Sequence, residues 1–218
     1  RKNLQNALAS ICSTAKAGPS IRAGPMILKK GWQLITLERL FQSFYGESLN
    51  RSLYRISDHK ERLAFLTEQI IRATGLKDFG IYMAKVLTVD TFFLNEDRHT
   101  HNLAVLLDEY GEYHYCPMFD HGGALLSDTT LDYPVTGDVY TLIESAKPKT
   151  FCDSFEEQLD IAEELYGQPI QFSFNSNDID RLLREEQYYS EDRRSCWKIR
   201  KNGHCFGNCF RAEQHICG

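Results

Sequence analysis

Three polar residues around one short hairpin carry the strongest chemical signal in the chain. Asp97 and Asn102 lie five residues apart in the stretch LNEDRHTHNLAVL, and Asp120 follows in YCPMFDHGG. A carboxylate and an amide oxygen are hard donors of the kind that bind Mg²⁺, an ion that keeps several waters and shares phosphate oxygens. A second carboxylate nearby, left off the metal, can orient a hydroxyl and accept its proton. Phosphoryl transfer asks for those parts, because its catalysis is mostly positioning and charge stabilisation. A plainer alternative stands beside this one: Asp and Asn are also turn residues whose side chains bond their own backbone.

The elements that must position them follow from the apolar pattern. Residues 103–107 form a short apolar run, Asp108-Glu109-Tyr110-Gly111 makes a turn, and residues 112–116 alternate aromatics before Pro117. That is a β-hairpin. A hairpin brings its chain back to its starting edge, so Asp120 is expected close to Asn102 despite the 18 residues between them. Upstream, apolar residues at helical spacing predict helices over 34–45, stopped by Gly46, and over 57–74, capped by Ser57 or Asp58 and stopped by Gly75. Residues 81–93 are apolar on all sides and predict a buried helix. Downstream, helices are expected over 139–145, over 154–166 between Ser154 and Gly167, and over 177–189. The predicted fold is mainly α with a small β-hairpin.

With these residues in view, the chain resembles a known family. Asp90-x6-Asp97-Arg98-His99-x2-Asn102, followed by Phe119-Asp120, is similar to the C-terminal lobe of the HipA-like serine/threonine kinases. Those are bacterial proteins best known as toxins of toxin–antitoxin pairs. The five-residue Asp-to-Asn spacing is also that of the protein-kinase catalytic loop. The Asp-Arg-His-x-x-Asn string further resembles the loop of phosphatidylinositol kinases. Lys147-Pro148 and Ser154-Phe155-Glu156-Glu157-Gln158 fit the HipA-like pattern better. The resemblance runs over residues 34–189 and is specific over 90–123. It implies an α+β kinase-like C-lobe and transfer of the ATP γ-phosphate to a protein Ser or Thr hydroxyl. Asp97 would be the catalytic base, and His99, where the family has a loop histidine, is the second catalytic candidate. Asn102 and Asp120 would hold Mg²⁺, and His101 would sit at the cofactor. His101 stands where the group often has lysine, which replaces a fixed cation with an imidazole. Asp120-His121-Gly122 departs from the Asp-Phe-Gly of ordinary protein kinases.

A kinase of this kind has a second, N-terminal lobe with a phosphate loop and a lysine for the ATP phosphates. Residues 1–96 hold no glycine-rich phosphate loop, and Lys29-Lys30-Gly31, the basic cluster of the first 50 residues, reads as a solvated loop. The expectation is therefore a large lobe without its small one, which holds the nucleotide alone, is completed by a second chain, or is an inactive binding module. A lipid kinase is a third reading, disfavoured by an acidic body.

The remaining composition bounds these readings. The chain has 218 residues, 42% hydrophobic and 25% charged, with net charge −5. This excludes general disorder and argues against a protein built to grip nucleic acid. No apolar run is long enough to span a membrane. Arg1 opens the chain without a charged-then-apolar leader, so a trimmed chain or a fragment is expected. Seven cysteines, an odd number, suggest reduced thiols and a cytoplasmic setting. The partners expected are a Ser/Thr protein substrate, an antitoxin or a lobe-supplying chain, with no membrane and no direct nucleic-acid contact. Three regions are expected: an irregular segment 1–30, the lobe 31–189 and a tail 190–218. The tail holds six Lys/Arg against three Asp/Glu and four cysteines. Cys205-x3-Cys209 with Cys196, Cys217, His204 and His215 offers enough ligands for Zn²⁺, but in none of the strong zinc spacings, so a disordered tail, or one translated out of the original reading frame, is the favoured expectation.

Overall fold

A computed structural model describes residues 29–124, 126, 138–168, 170, 177 and 181. The chain divides into two compact units, residues 1–124 with 147–172, and residues 125–146 with 173–218. The predicted segment 1–28, most of the helix over 177–189 and the cysteine-bearing tail lie outside the described residues.

In the first unit, short-range signals set the helix ends. Strand β1 is Gln33–Thr36 and helix α1 is Leu37–Tyr45. Thr36 caps α1 by accepting from the Arg39 N–H, and Gly46 ends it in the left-handed region, φ 74°. Helix α2 is Leu49–Tyr54, capped by Ser48. Helix α3 is His59–Thr74, with the Asp58 side chain on the Glu61 N–H at 2.7 Å and Gly75 at its end. Helix α4, Phe79–Phe93, is buried on nearly all sides. Strands β2, Ala104–Leu107, and β3, Tyr113–Tyr115, form the hairpin. The Asp108 carboxylate ties its turn by accepting from the Tyr110 and Glu112 N–H groups. Helix α5, Val139–Ser145, belongs to the second unit and is capped by Asp138. Helix α6, Phe155–Tyr166, returns to the first unit with Ser154 at its start and Gly167 at its end.

The structure corrects the expected helix over 34–45 and adds a third strand to the expected hairpin. Gln33–Thr36 pairs antiparallel with β2, Gln33 against Leu107 and Thr36 against Ala104, in the sheet order β1-β2-β3. Leu-Ile-Thr satisfies a strand as well as a first helical turn, and the open edge of β2 decides between them. Thr36 then serves both elements, as the last strand residue and the cap of α1. Helix α2 has no counterpart in the sequence reading, because six residues are too few to show a period.

The main core joins the buried faces of α1, α3, α4 and α6, with Leu37, Leu40, Leu63, Leu66, Ile70, Phe79, Met83 and Leu87 essentially without exposure. Val105 and Ile35 belong to it from one face of the sheet. Alternate residues (Leu34, Ala104, Leu106 and Cys116) make a second cluster on the other face with Trp32 and Phe119. Gly80 admits Tyr166 to the surface of α4: a Cβ there would lie 2.4 Å from the ring. The Tyr166 hydroxyl reaches Thr67 Oγ1 on α3 at 2.5 Å, so one side chain links three helices.

Candidate functional site

The site begins at the carboxyl end of α4. Leu94 turns the chain with φ 47°, and the Asn95 N–H closes onto the Asp90 carbonyl at 2.8 Å. This aims the loop 94–103 across the end of the helix. Asp90 faces the same way and is fully buried. A buried carboxylate needs a partner, and Arg98 supplies it with Nε at 2.6 Å and Nη2 at 2.9 Å, while Asn95 Nδ2 adds a third donor at 2.7 Å. Burial works against ionisation of Asp90, but Arg98 outweighs it and holds the carboxyl below its usual range. Burial likewise opposes the Arg98 charge, and Asp90, helped by Asp120, raises its pKa.

The rest of the guanidinium organises the backbone. Nη1 donates to the Asn102 carbonyl at 2.7 Å and to the Phe119 carbonyl at 2.9 Å. Those two oxygens can therefore be no farther apart than the two bonds laid end to end. One nitrogen thus joins the residue that carries Asn102 to the residue that precedes Asp120. Nη2 also lies 3.1 Å from His121 Nδ1, which ties the following residue to the same arginine.

The second half of the loop hangs from α1. The Leu37 N–H donates to the Leu103 carbonyl at 2.8 Å, and the Thr100 hydroxyl donates to Glu38 Oε2 at 2.9 Å. Burial opposes the Glu38 charge, yet hydrogen bonds involving Ser48, Asn50 and Thr100 hold its carboxyl below the usual range.

The sequence-predicted residues fall as follows. Asp97 is half-buried on the loop, with Oδ1 3.9 Å from His99 Nε2 and 3.9 Å from Lys149 Nζ. His99 Nδ1 accepts from the His101 N–H at 3.2 Å, so the neutral ring carries its proton on Nε2, the side of Asp97. Asn102 is buried, and its Nδ2 donates to the Asp97 carbonyl at 2.9 Å. The plainer reading is thus realised in part: the Asn102 amide does brace its own loop. That bond uses the nitrogen and leaves the amide oxygen, the donor a hard cation wants, as the atom on offer. His101 is exposed, with its ring edge-on to His99. Asp120 is exposed and holds φ 55°, a left-handed conformation uncommon outside glycine that Asp tolerates better than most residues.

Gly123 brings the two loops together. A Cβ there would meet Asp97 Cβ at 2.8 Å and Asp97 N at 3.4 Å, so only glycine lets the backbone after Asp120 lie against the loop of Asp97. Asn95 Oδ1, 3.5 Å from the same point, is buried and accepts no hydrogen bond among the described residues. Oxygen donors from Asn102 and Asp120, on loops joined by one guanidinium, are the donor set that Mg²⁺ takes.

Sequence reasoning did not single out Gly123 or Lys149, and it gave no role to Arg98 or His121. Arg98 sat inside the quoted motif without a role. Lys149 arrives from 52 residues downstream of Asp97, on a segment fastened by the Lys147 N–H to Glu96 Oε1 at 3.0 Å. No local pattern announces that approach.

No protein-family model matches the chain, and no curated protein matches it either. Among solved structures, the chain is similar to a Helicobacter pylori proinflammatory kinase, CtkA, with a TM-score of 0.54 and 17% identity. The match covers 100% of this chain and 80% of that one. Identity this low speaks to the fold alone. The architecture is a distant kinase-like lobe, mostly helical with a three-stranded antiparallel sheet.

Proposed function

We propose that the chain is a phosphotransferase of the HipA-like Ser/Thr kinase type. The observation that carries the reading is the Arg98 guanidinium, bonded at once to Asp90, to the Asn102 carbonyl and to the Phe119 carbonyl. It makes the Asp97–Asn102 loop and the Asp120 turn one rigid body, which positioning catalysis requires.

In this reading Asp97 orients the acceptor hydroxyl and takes its proton as the oxygen bonds to the γ-phosphorus and the bond to ADP breaks. Asn102 and Asp120 would hold Mg²⁺, which when bound neutralises phosphate charge. His99 steadies the Asp97 side of the loop. Lys149 supplies a cation 3.9 Å from Asp97, and so compensates for the imidazole of His101 where the family often carries lysine. A Ser/Thr protein is the substrate class. An antitoxin, or a chain that completes the phosphate-binding lobe, is the partner class.

The test is calorimetry of ATP binding with and without Mg²⁺, followed by transfer of labelled γ-phosphate. Binding should need both Mg²⁺ and Asp120 and fail in Asp120→Ala. Asp97→Ala should still bind ATP but lose transfer. Absence of Mg²⁺-dependent binding at millimolar ATP would overturn the reading in favour of an inactive interaction module.

A further inference from the structure

A second cluster of ligand-type side chains lies apart from this site, where α3 begins beside the entry to α6. His59 is the first residue of α3, directly after its cap Asp58. Cys152 and Asp153 immediately precede Ser154, the cap of α6, and Glu157 sits in its first turn. One ligand atom each from His59, Cys152 and Glu157 can be chosen so that all three lie within 4.8 Å of one another. His59 Nδ1 is 2.7 Å from Glu157 Oε1, and His59 Nε2 is 4.0 Å from Asp153 Oδ1.

The arrangement has the marks of a built site. The S-x-x-E pattern of Ser154 and Glu157 would ordinarily turn the glutamate back onto the cap N–H. Here the Ser154 hydroxyl accepts from the Glu157 N–H at 3.1 Å as expected, but Glu157 Oε2 accepts from the Asp153 N–H at 3.2 Å, one residue earlier. That leaves Oε1 facing the imidazole. Cys152 is 6% exposed, while Glu157 and Asp153 keep the outer side open to solvent. Two neighbouring bonds fix the segment: Arg62 Nη1 donates to the Thr150 carbonyl at 3.0 Å, and the Thr91 hydroxyl donates to the Phe155 carbonyl at 3.2 Å.

We propose that His59, Cys152 and Glu157 bind a borderline divalent transition-metal ion of the Zn²⁺ class, with Asp153 on the second imidazole nitrogen. Imidazole, thiolate and carboxylate together are a Zn²⁺ donor set, whereas a thiolate disfavours Mg²⁺ and Ca²⁺. Bonds of roughly 2.0–2.3 Å in a tetrahedron put ligand atoms about 3.5 Å apart. The His59–Glu157 pair must therefore open by under about 1 Å and the wider pairs close by up to about 1.3 Å, which side-chain rotation accommodates. Three protein ligands leave the fourth position to water on the open side. Asp153 Oδ1, 4.0 Å from the free imidazole nitrogen, would close by about 1 Å to give the outer carboxylate support usual for a histidine ligand. Metal entry would displace the Cys152 thiol proton to solvent. The ion would pin the start of α3 to the start of α6, independently of the phosphotransfer reading.

The probe is Co²⁺, added to the full chain with Cys12, Cys196, Cys205, Cys209 and Cys217 replaced by serine so that only Cys116 and Cys152 remain. One equivalent should give tetrahedral d–d bands and a thiolate-to-cobalt charge-transfer band in the near ultraviolet. Cys152→Ala should remove the charge-transfer band and Cys116→Ser should keep it. Glu157→Gln, which preserves the Ser154 cap, should weaken Co²⁺ at least tenfold, since loss of even an outer partner costs about 10–100-fold. Zn²⁺ should displace the colour. No thiolate band at one equivalent, a band that survives Cys152→Ala, or unchanged affinity in Glu157→Gln would each overturn the proposal. The last of these reads the site even if the cysteine variant does not fold.

Discussion

Arg98 and Asp90 form a two-pronged ion pair, 2.6 and 2.9 Å, in which neither side chain is more than 3% exposed. Breaking such a pair leaves a buried charge with no partner, at a cost of about 3–5 kcal/mol. Arg98→Met should therefore lower the urea midpoint severely. Asp90→Leu/Arg98→Met should recover part of the stability, because both charges are gone. Recovery should be incomplete, since the Asn102 and Phe119 carbonyls still lose their donor. Chemical denaturation of the two variants checks this; equal losses would mean that backbone tethering, not charge, dominates.

The same pair sets an acid limit. The folded-state pKa of Asp90 is depressed, so the unfolded chain binds the extra proton first as pH falls. The stabilisation is complete above the unfolded value, near 3.8, and drains away as pH drops from there through the folded value. Glu38 acts in the same direction from its ordinary 4.5. Urea midpoints taken from pH 6 downward should fall steeply below about pH 4.5, and the slope should flatten in Asp90→Asn.

Two adjacent glycines offer a matched comparison. A Cβ on Gly123 would strike Asp97 at 2.8 Å, whereas one on Gly122 would stand 3.5 Å from Asp120 Oδ1, an ordinary contact. Under the proposed chemistry, Gly123→Ala should cut the transfer rate on the order of 100-fold by displacing Asp97, since misplacement by about 1 Å costs that much. Gly122→Ala should stay within a few-fold of the parent. Single-turnover transfer measured on both variants decides.

Lys149 is exposed, so removing it should leave folding unchanged. Lys149→Gln should lower transfer by roughly tenfold or more while ATP binding changes less, because the cation is proposed to act on charge that develops during transfer. Lys149→Arg should restore part of the rate. The split between binding and rate, read by calorimetry and initial velocities, separates this role from simple nucleotide attraction.

The helix ends were legible in the sequence because capping is local: Asp58, Gly75, Ser154 and Gly167 each act within four residues of themselves. The hairpin was legible for a similar reason, since alternation and a four-residue turn need no distant partner. What the sequence could not reveal is contact between remote segments. β1 became a strand because β2 offered an edge some 70 residues away. Gly123 is required by Asp97, and Lys149 reaches the site from beyond the second unit's first segment. The Asp97-to-Asn102 spacing located the loop. It did not disclose that Arg98, between them, holds the loop to the turn before Asp120.

The attachment of the loop to α1 sets a boundary for dissection. Leu37 and Glu38 hold residues 100–103 through backbone bonds, and Thr36 is at once the end of β1 and the cap of α1. A piece cut after Thr36 would expose the edge of β2, uncap the helix and leave the Leu103 anchor at a fraying end. The minimal lobe is therefore delimited on its amino side by strand pairing at Gln33, well upstream of Asp97, Asn102 and Asp120.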